Sequence, residues 1–149
     1  MVIIREHSLH PWNEIQHFQN EKLADKQAHY GATASFVGTM RDFNEDNDVT
    51  SMSLEYYPGM TEKQLEKSIL DAFKKWQCID ALIVHRVGTI KPGEPIVLVA
   101  VWSTHRGDAF DACRFLMENL KSKAPFWKKE QLADQSSRWV HKNTDGYVK

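Results

Sequence analysis

An α+β domain, with largely antiparallel sheets and helices packed on them, is the fold class this chain predicts. Two observations carry that expectation. Stretches of strand character fall in neighbouring pairs, Gly31 to Met40 with Val49 to Tyr57, and Ile79 to Val87 with Ile96 to Trp102. Between and after them run two segments with the 3.6-residue apolar period of helices lying on a sheet. At 149 residues the chain fits one domain, residues 1–149, long enough to bury a core without staples.

Taken in order, Val2 to Ile4 is a short apolar run read as a strand. Pro11 stands at a first helical position ahead of Trp12, Ile15 and Phe18 at helical spacing. From Gly31 to Met40 the chain reads as a strand. Val49 to Tyr57 alternates Thr50, Met52, Leu54 and Tyr56 against Ser51, Ser53 and Glu55, so one face is buried and the two strands are expected to pair as a hairpin. Their connection, Arg41 to Asp48, is polar, acidic and long for a hairpin loop, which suggests a mobile functional segment.

Pro58-Gly59-Met60 breaks the chain, and Thr61 with Gln64 has the spacing of a capping box, with Met60 and Leu65 as its hydrophobic staple. Leu65, Ile69, Ala72, Phe73 and Trp76 form the apolar stripe of the helix that follows. Lys91-Pro92-Gly93-Glu94 fits a type II turn joining the second antiparallel pair. The last long helix is expected from near Gly107 through Leu120, stopping before Pro125, with Lys121 in its final turn. Arg138 to His141 reads as an edge strand, and the segment from Asn143 to Lys149 as a loose tail.

Charge and cysteine usage narrow the function classes. Nineteen basic against twenty acidic residues give a net charge of -1, which argues against nucleic-acid binding by bulk electrostatics, so any anion site must be local. Cys78 and Cys113 lie far apart with no CxxC pair and read as buried thiols in a reducing compartment, the cytoplasm by default. No stretch approaches the length needed to span a bilayer. The histidines lack metal-ligand spacing, and there is no phosphate-binding glycine loop or nucleophile elbow.

The chemistry concentrates in Leu120-Lys121-Ser122-Lys123-Ala124-Pro125-Phe126-Trp127-Lys128-Lys129-Glu130. A lysine held against Phe126 and Trp127 loses hydration of its ammonium form, so its pKa falls and a free amine becomes available near neutral pH. The same block also reads as a helix end decorated with cations and cut off by proline. His105 and Arg106 follow a strand and open a helix, a natural seat for phosphate, or else a cap and an ion pair with Asp108. Arg41 is a third cation of such a pocket or a solvating residue of its loop.

Together, Phe36-Val37-Gly38-Thr39-Met40-Arg41, Leu54-Glu55-Tyr56-Tyr57-Pro58-Gly59-Met60-Thr61-Glu62, Val84-His85-Arg86-Val87-Gly88, Thr104-His105-Arg106 and the lysine block make the chain resemble the catalytic subunit of molybdopterin synthase from about Gly31 to Trp139. The resemblance implies an α/β hammerhead-like domain and a sulfur transferase that converts cyclic pyranopterin monophosphate into molybdopterin by installing a dithiolene. It implies sulfur carried as a thiocarboxylate on the C-terminal Gly-Gly of a small ubiquitin-like subunit, a central homodimer within a heterotetramer, and no cofactor or metal of its own. By the same resemblance Lys121 and Lys128 are catalytic, and Arg41, His105 and Arg106 bind the substrate anion. Asp108 departs from the small neutral residue common there and would temper the positive potential. The alternative is a non-catalytic module that binds a phosphorylated small molecule or a ubiquitin-like tail with the same cations.

Overall fold

The strand β7 (Pro95–Ser103) organises the molecule, because its side chains from Val97 to Ser103 are buried whichever face they point to. A strand apolar on both faces needs a cover on each. In the computed structural model, which describes residues 1–142, 146 and 147, β7 sits inside a four-stranded sheet. Its neighbours are β5 (Cys78–Arg86) on one side and the edge strand β2 (Ala32–Thr39) on the other, both antiparallel. The first strand, β1 (Val2–Arg5), lies parallel to β5 at the opposite edge.

Strand alternation divides the two covers. Ala81, Ile83, Val97, Val99 and Val101 face α2 (Met60–Lys75) and α3 (Arg106–Lys123), meeting Leu65, Ile69, Ala72, Ala112 and Leu116. Leu82, Val84, Leu98, Ala100 and Trp102 face the other way, toward Phe18 of α1 (Pro11–Lys22) and Leu23. Trp102 stacks on Phe18 with ring centroids 5.0 Å apart.

A second sheet holds β3 (Phe43–Asn44), β4 (Asn47–Tyr56), β8 (Phe126–Leu132) and β9 (Ser137–Val140) in that order, with β6 (Gly88–Ile90) also paired to β4. Its inward face packs Val49, Met52 and Leu54 against Met40 and Ile90. Among the described residues no helix is long and apolar enough to cross a membrane.

The mixed, mainly antiparallel architecture is the one expected, and β5 with β7 form the antiparallel pair read from the sequence. Gly93 takes φ 85°, as its place in a type II turn requires. Three expectations need correction. Strands β2 and β4 do not pair with each other: β2 takes the free side of β7, while β4, buried on one face only, crosses to the second sheet. The Arg41–Asp48 connection is not an open loop. Phe43 and Asn44 pair with Asp48 and Asn47 around Glu45 and Asp46 at φ 51° and 62°, the positive values a tight hairpin turn needs. Finally, α2 begins two residues earlier than the Thr61–Gln64 box implied, with Gly59 and not Thr61 at its N-cap. Glu62 accepts the Gly59 N–H at 2.7 Å, and Met60, 55% exposed, lies within the helix and staples nothing.

Thr61 has a different task. Its hydroxyl accepts the Tyr57 N–H at 3.0 Å and donates to the Pro125 carbonyl at 3.1 Å, tying the start of α2 to the chain just before β8. The edge strand Arg138 to His141 was expected and is present as β9. Of the tail read as loose, residues 143–145, 148 and 149 lie outside the described residues.

Candidate active site

Lys121 occupies the last turn of α3, and the helix ends at Lys123 because Ala124, preceding proline, is extended at φ -78°, ψ 134°. The chain then enters β8, where the two-residue period puts Phe126, Lys128 and Glu130 on the inner face and Trp127 and Lys129 on the outer one. This short reversal brings Lys121 and Lys128 side by side, within hydrogen-bonding reach of each other. The wall expected from Phe126 and Trp127 is therefore half right. Phe126 lines the site, whereas Trp127 is 47% exposed and directed away from it by strand alternation.

Both lysines border two adjoining cavities. The smaller, about 140 Å³, is also lined by Arg41, Asn44 and Glu130. The larger, about 490 Å³, is bounded by Phe36, His85, Met117, Leu120 and Phe126. Lys121 also touches a third cavity, more apolar, which runs between Phe36 on β2 and Phe110, Cys113 and Met117 on α3. Lys121 thus stands where the cation-lined recess it shares with Lys128 meets a more apolar passage.

Arg41 lines the smaller cavity with the two lysines and without His105 or Arg106, its guanidinium over the Phe43 ring at 5.0 Å. The chain before it is fixed by Met40, whose N–H donates to Glu94 and whose carbonyl accepts from Gly93. Opposite, Glu130 is only 5% exposed and its carboxylate accepts from Asn44 at 2.6 Å and from Arg138 at 3.0 Å. A buried carboxylate needs such partners.

Burial, reinforced by the neighbouring Lys121, brings the Lys128 amine down to about 7, with Glu130 pulling the other way. An amine at that value holds and releases a proton at neutral pH. The thiols offer no comparable reactivity: burial pushes Cys78 and Cys113 up to about 11, so both stay protonated.

His105 and Arg106 are not brought to this pocket within one chain. They stand exposed at the first turn of α3, while Lys121 is fifteen residues on in the last, about 22 Å along the axis. His105 does not cap the helix with its side chain; its N–H reaches the Ser103 hydroxyl at 3.4 Å. The Asp108 carboxylate accepts the Gln77 N–H at 3.2 Å, so it is occupied in joining α3 to the end of α2.

Two residues of the site, Glu130 and His85, have no site role in the sequence reading. Glu130 would have been found by reading Phe126 to Leu132 as a strand, since it shares a face with Lys128. His85 is signalled by a polar side chain directly after the apolar run Ala81 to Val84; it is buried, and its ring stacks on Phe126 with centroids 4.0 Å apart.

The family model described as MoaE protein matches residues 13–123. The molybdopterin synthase catalytic subunit of Ralstonia nicotianae is 59% identical over 110 residues, a span covering 74% of this chain and 62% of that protein's length. The subunit of the same description from Pseudomonas aeruginosa is 53% identical over 110 residues, covering 74% of this chain and 73% of that one. Among solved structures, the molybdopterin biosynthesis MoaE protein from Burkholderia ambifaria superposes with a TM-score of 0.78 at 44% identity, covering 98% of this chain and 92% of that one. The chain belongs to the MoaE protein family.

Proposed function

We propose that this chain is the catalytic subunit of a molybdopterin synthase, a cytoplasmic sulfur transferase that builds the dithiolene of molybdopterin on cyclic pyranopterin monophosphate. The sulfur donor is the thiocarboxylate at the Gly-Gly end of a small ubiquitin-like subunit. Relatives named for this activity support the reading. The observation that carries it is the Lys121–Lys128 pair in a cation-lined recess, with Lys121 also opening onto a more apolar passage.

A threaded peptide end reaches the lysines through the passage, and the phosphorylated pterin lies against the cations. Lys121, Lys128 and Arg41 then offset the negative charge of thiocarboxylate and phosphate, and of oxygen as it develops charge during attack. In each of two transfers the thiocarboxylate sulfur attacks a pterin side-chain carbon and the C–O bond there breaks as its oxygen leaves; the carrier's acyl group stays on sulfur as a thioester, and water removes it, returning a carboxylate. Lys128, able to take up or give a proton near neutrality, serves the proton transfers these steps need. Lys121 lies at all three cavities and contacts both reactants.

His105 and Arg106 enter the same scheme through a second copy of the chain. In a twofold dimer a helix end of one protomer can meet the opposite end of its partner's helix, and the anion seat at the start of α3 then completes the recess beside the other protomer's lysines. The test of the whole reading is direct. The purified chain is mixed with a thiocarboxylated ubiquitin-like subunit and the pterin precursor, and the dithiolene product is sought by mass spectrometry. Product that depends on all three components is expected; binding of both reactants without turnover would leave only the non-catalytic module.

A further inference from the structure

His85 is a buried polar residue to which the proposed chemistry gives no task. It is 4% exposed, sits on β5, and lines the 490 Å³ cavity together with Lys121 and Lys128. Two contacts fix its ring. Nδ1 lies 2.8 Å from the carbonyl oxygen of Arg86, and one face stacks on Phe126 at an interplanar angle of 18°.

The first contact decides the tautomer. A carbonyl oxygen only accepts, so Nδ1 carries the hydrogen and Nε2 keeps its lone pair. Burial, together with the positive charge of Lys128 and Lys121, holds the imidazole down to about 3, so it stays neutral at any working pH. On a ring that lines the cavity, His85 therefore carries one fixed, uncharged acceptor, Nε2. The protonated lysines beside it can only donate.

We propose that His85 is a positioning residue, whose Nε2 accepts a hydrogen bond from an uncharged N–H of the reactant in the larger cavity and so sets that reactant against the lysine pair. This rests on the sulfur-transfer reading. Two sources present such an N–H: the peptide group near the donor's Gly-Gly end, and the pterin ring.

The variants are His85→Phe, which keeps an aromatic ring on Phe126 without the acceptor, and His85→Gln, which restores an acceptor. Each is assayed as the full chain with the thiocarboxylated subunit and the pterin precursor, varying one reactant at a time. For His85→Phe, KM is expected to rise about tenfold, the worth of one hydrogen bond, for the donor if the peptide is bound or for the pterin if the ring is. The change in kcat should be smaller, and His85→Gln should recover much of the loss. A folded His85→Phe enzyme with both KM values unchanged overturns the proposal, whereas a wild-type chain without turnover overturns the sulfur-transfer reading instead. A measurement on the native protein needs no variant. The 15N resonance of the His85 Nε2 should shift when either a peptide ending in Gly-Gly or the pterin precursor is added, and no shift with either also overturns the proposal.

Discussion

Lys128 is placed within hydrogen-bonding reach of Lys121 by only a helix end, a proline and the first turns of a strand, and it is Lys128 whose amine burial brings to about 7. Two like charges in a half-dry pocket are costly, so one of the pair gives up its proton readily. That shared strain is what a cation-recognising, proton-moving site can use.

Replacing Lys121 or Lys128 by alanine should lower kcat at least a hundredfold while leaving affinity for the ubiquitin-like subunit within a few-fold, because the interaction lost is made mainly in the transition state. Titration calorimetry and single-turnover kinetics check the two halves. Lys121→Arg separates charge from proton transfer: arginine keeps the cation and cannot release a proton near neutrality. Retained turnover in that variant assigns Lys121 a purely electrostatic role.

The pH dependence follows with a definite sign. An unfolded Lys128 keeps its proton up to about 10.5 and the folded one releases it near 7, so between those values the unfolded chain binds more protons and stability rises with pH. Lys128→Met removes a buried ammonium and should therefore melt higher than wild type at pH 6, by an amount worth a few kcal/mol. The advantage should shrink steadily from pH 7 to 10. Thermal melts across that range decide it, and a gap that does not narrow would show that Lys128 is solvated in the folded state.

Much of this was legible in the sequence because it rests on local rules. The periods of α2 and α3, the proline that stops α3, and the apolar runs of β5 and β7 all read correctly, and Lys121 and Lys128, singled out together in the sequence, lie side by side. What failed depended on tertiary choice. Nothing in Gly31 to Met40 says that its partner is β7 and not β4, because adjacency favours a hairpin and only the doubly buried β7 offers a stronger edge. Phe126 to Leu132 mixes Lys, Glu and Gln with aromatics, so its strand character appears only once β4 and β9 flank it. The separation of Arg106 from Lys121 was readable from helix rise alone.

Glu130 tunes the pair from the wall. Its carboxylate favours the ammonium form of Lys128, so Glu130→Gln should let that amine fall further. If neutral Lys128 is the active form, wild-type kcat/KM rises with pH through about 7, and in Glu130→Gln the midpoint moves to lower pH. The substitution also loosens Asn44 and Arg138, which bond the same carboxylate and tie the β3 hairpin to β9. A stability loss of about 1–3 kcal/mol is expected in denaturant unfolding. A midpoint that stays in place would mean that Glu130 holds the wall without bearing on the amine.

His105 and Arg106 provide the test of a site shared between two copies. Since Arg106 and Lys121 lie at opposite ends of one 18-residue helix, they meet at a single recess only if each comes from a different protomer. Arg106→Ala and Lys121→Ala enzymes should each be inactive alone. Mixed and allowed to exchange subunits, half of the dimers become mixed ones. Each of these has one recess with both residues intact and one with neither, so about a quarter of wild-type activity should return. Were the two residues used within one chain, every recess in the mixture would lack one of them and no activity would reappear. Native mass spectrometry that shows mixed dimers in a sample without turnover would assign Arg106 away from the recess and leave Lys121, Lys128 and Arg41 as its cations.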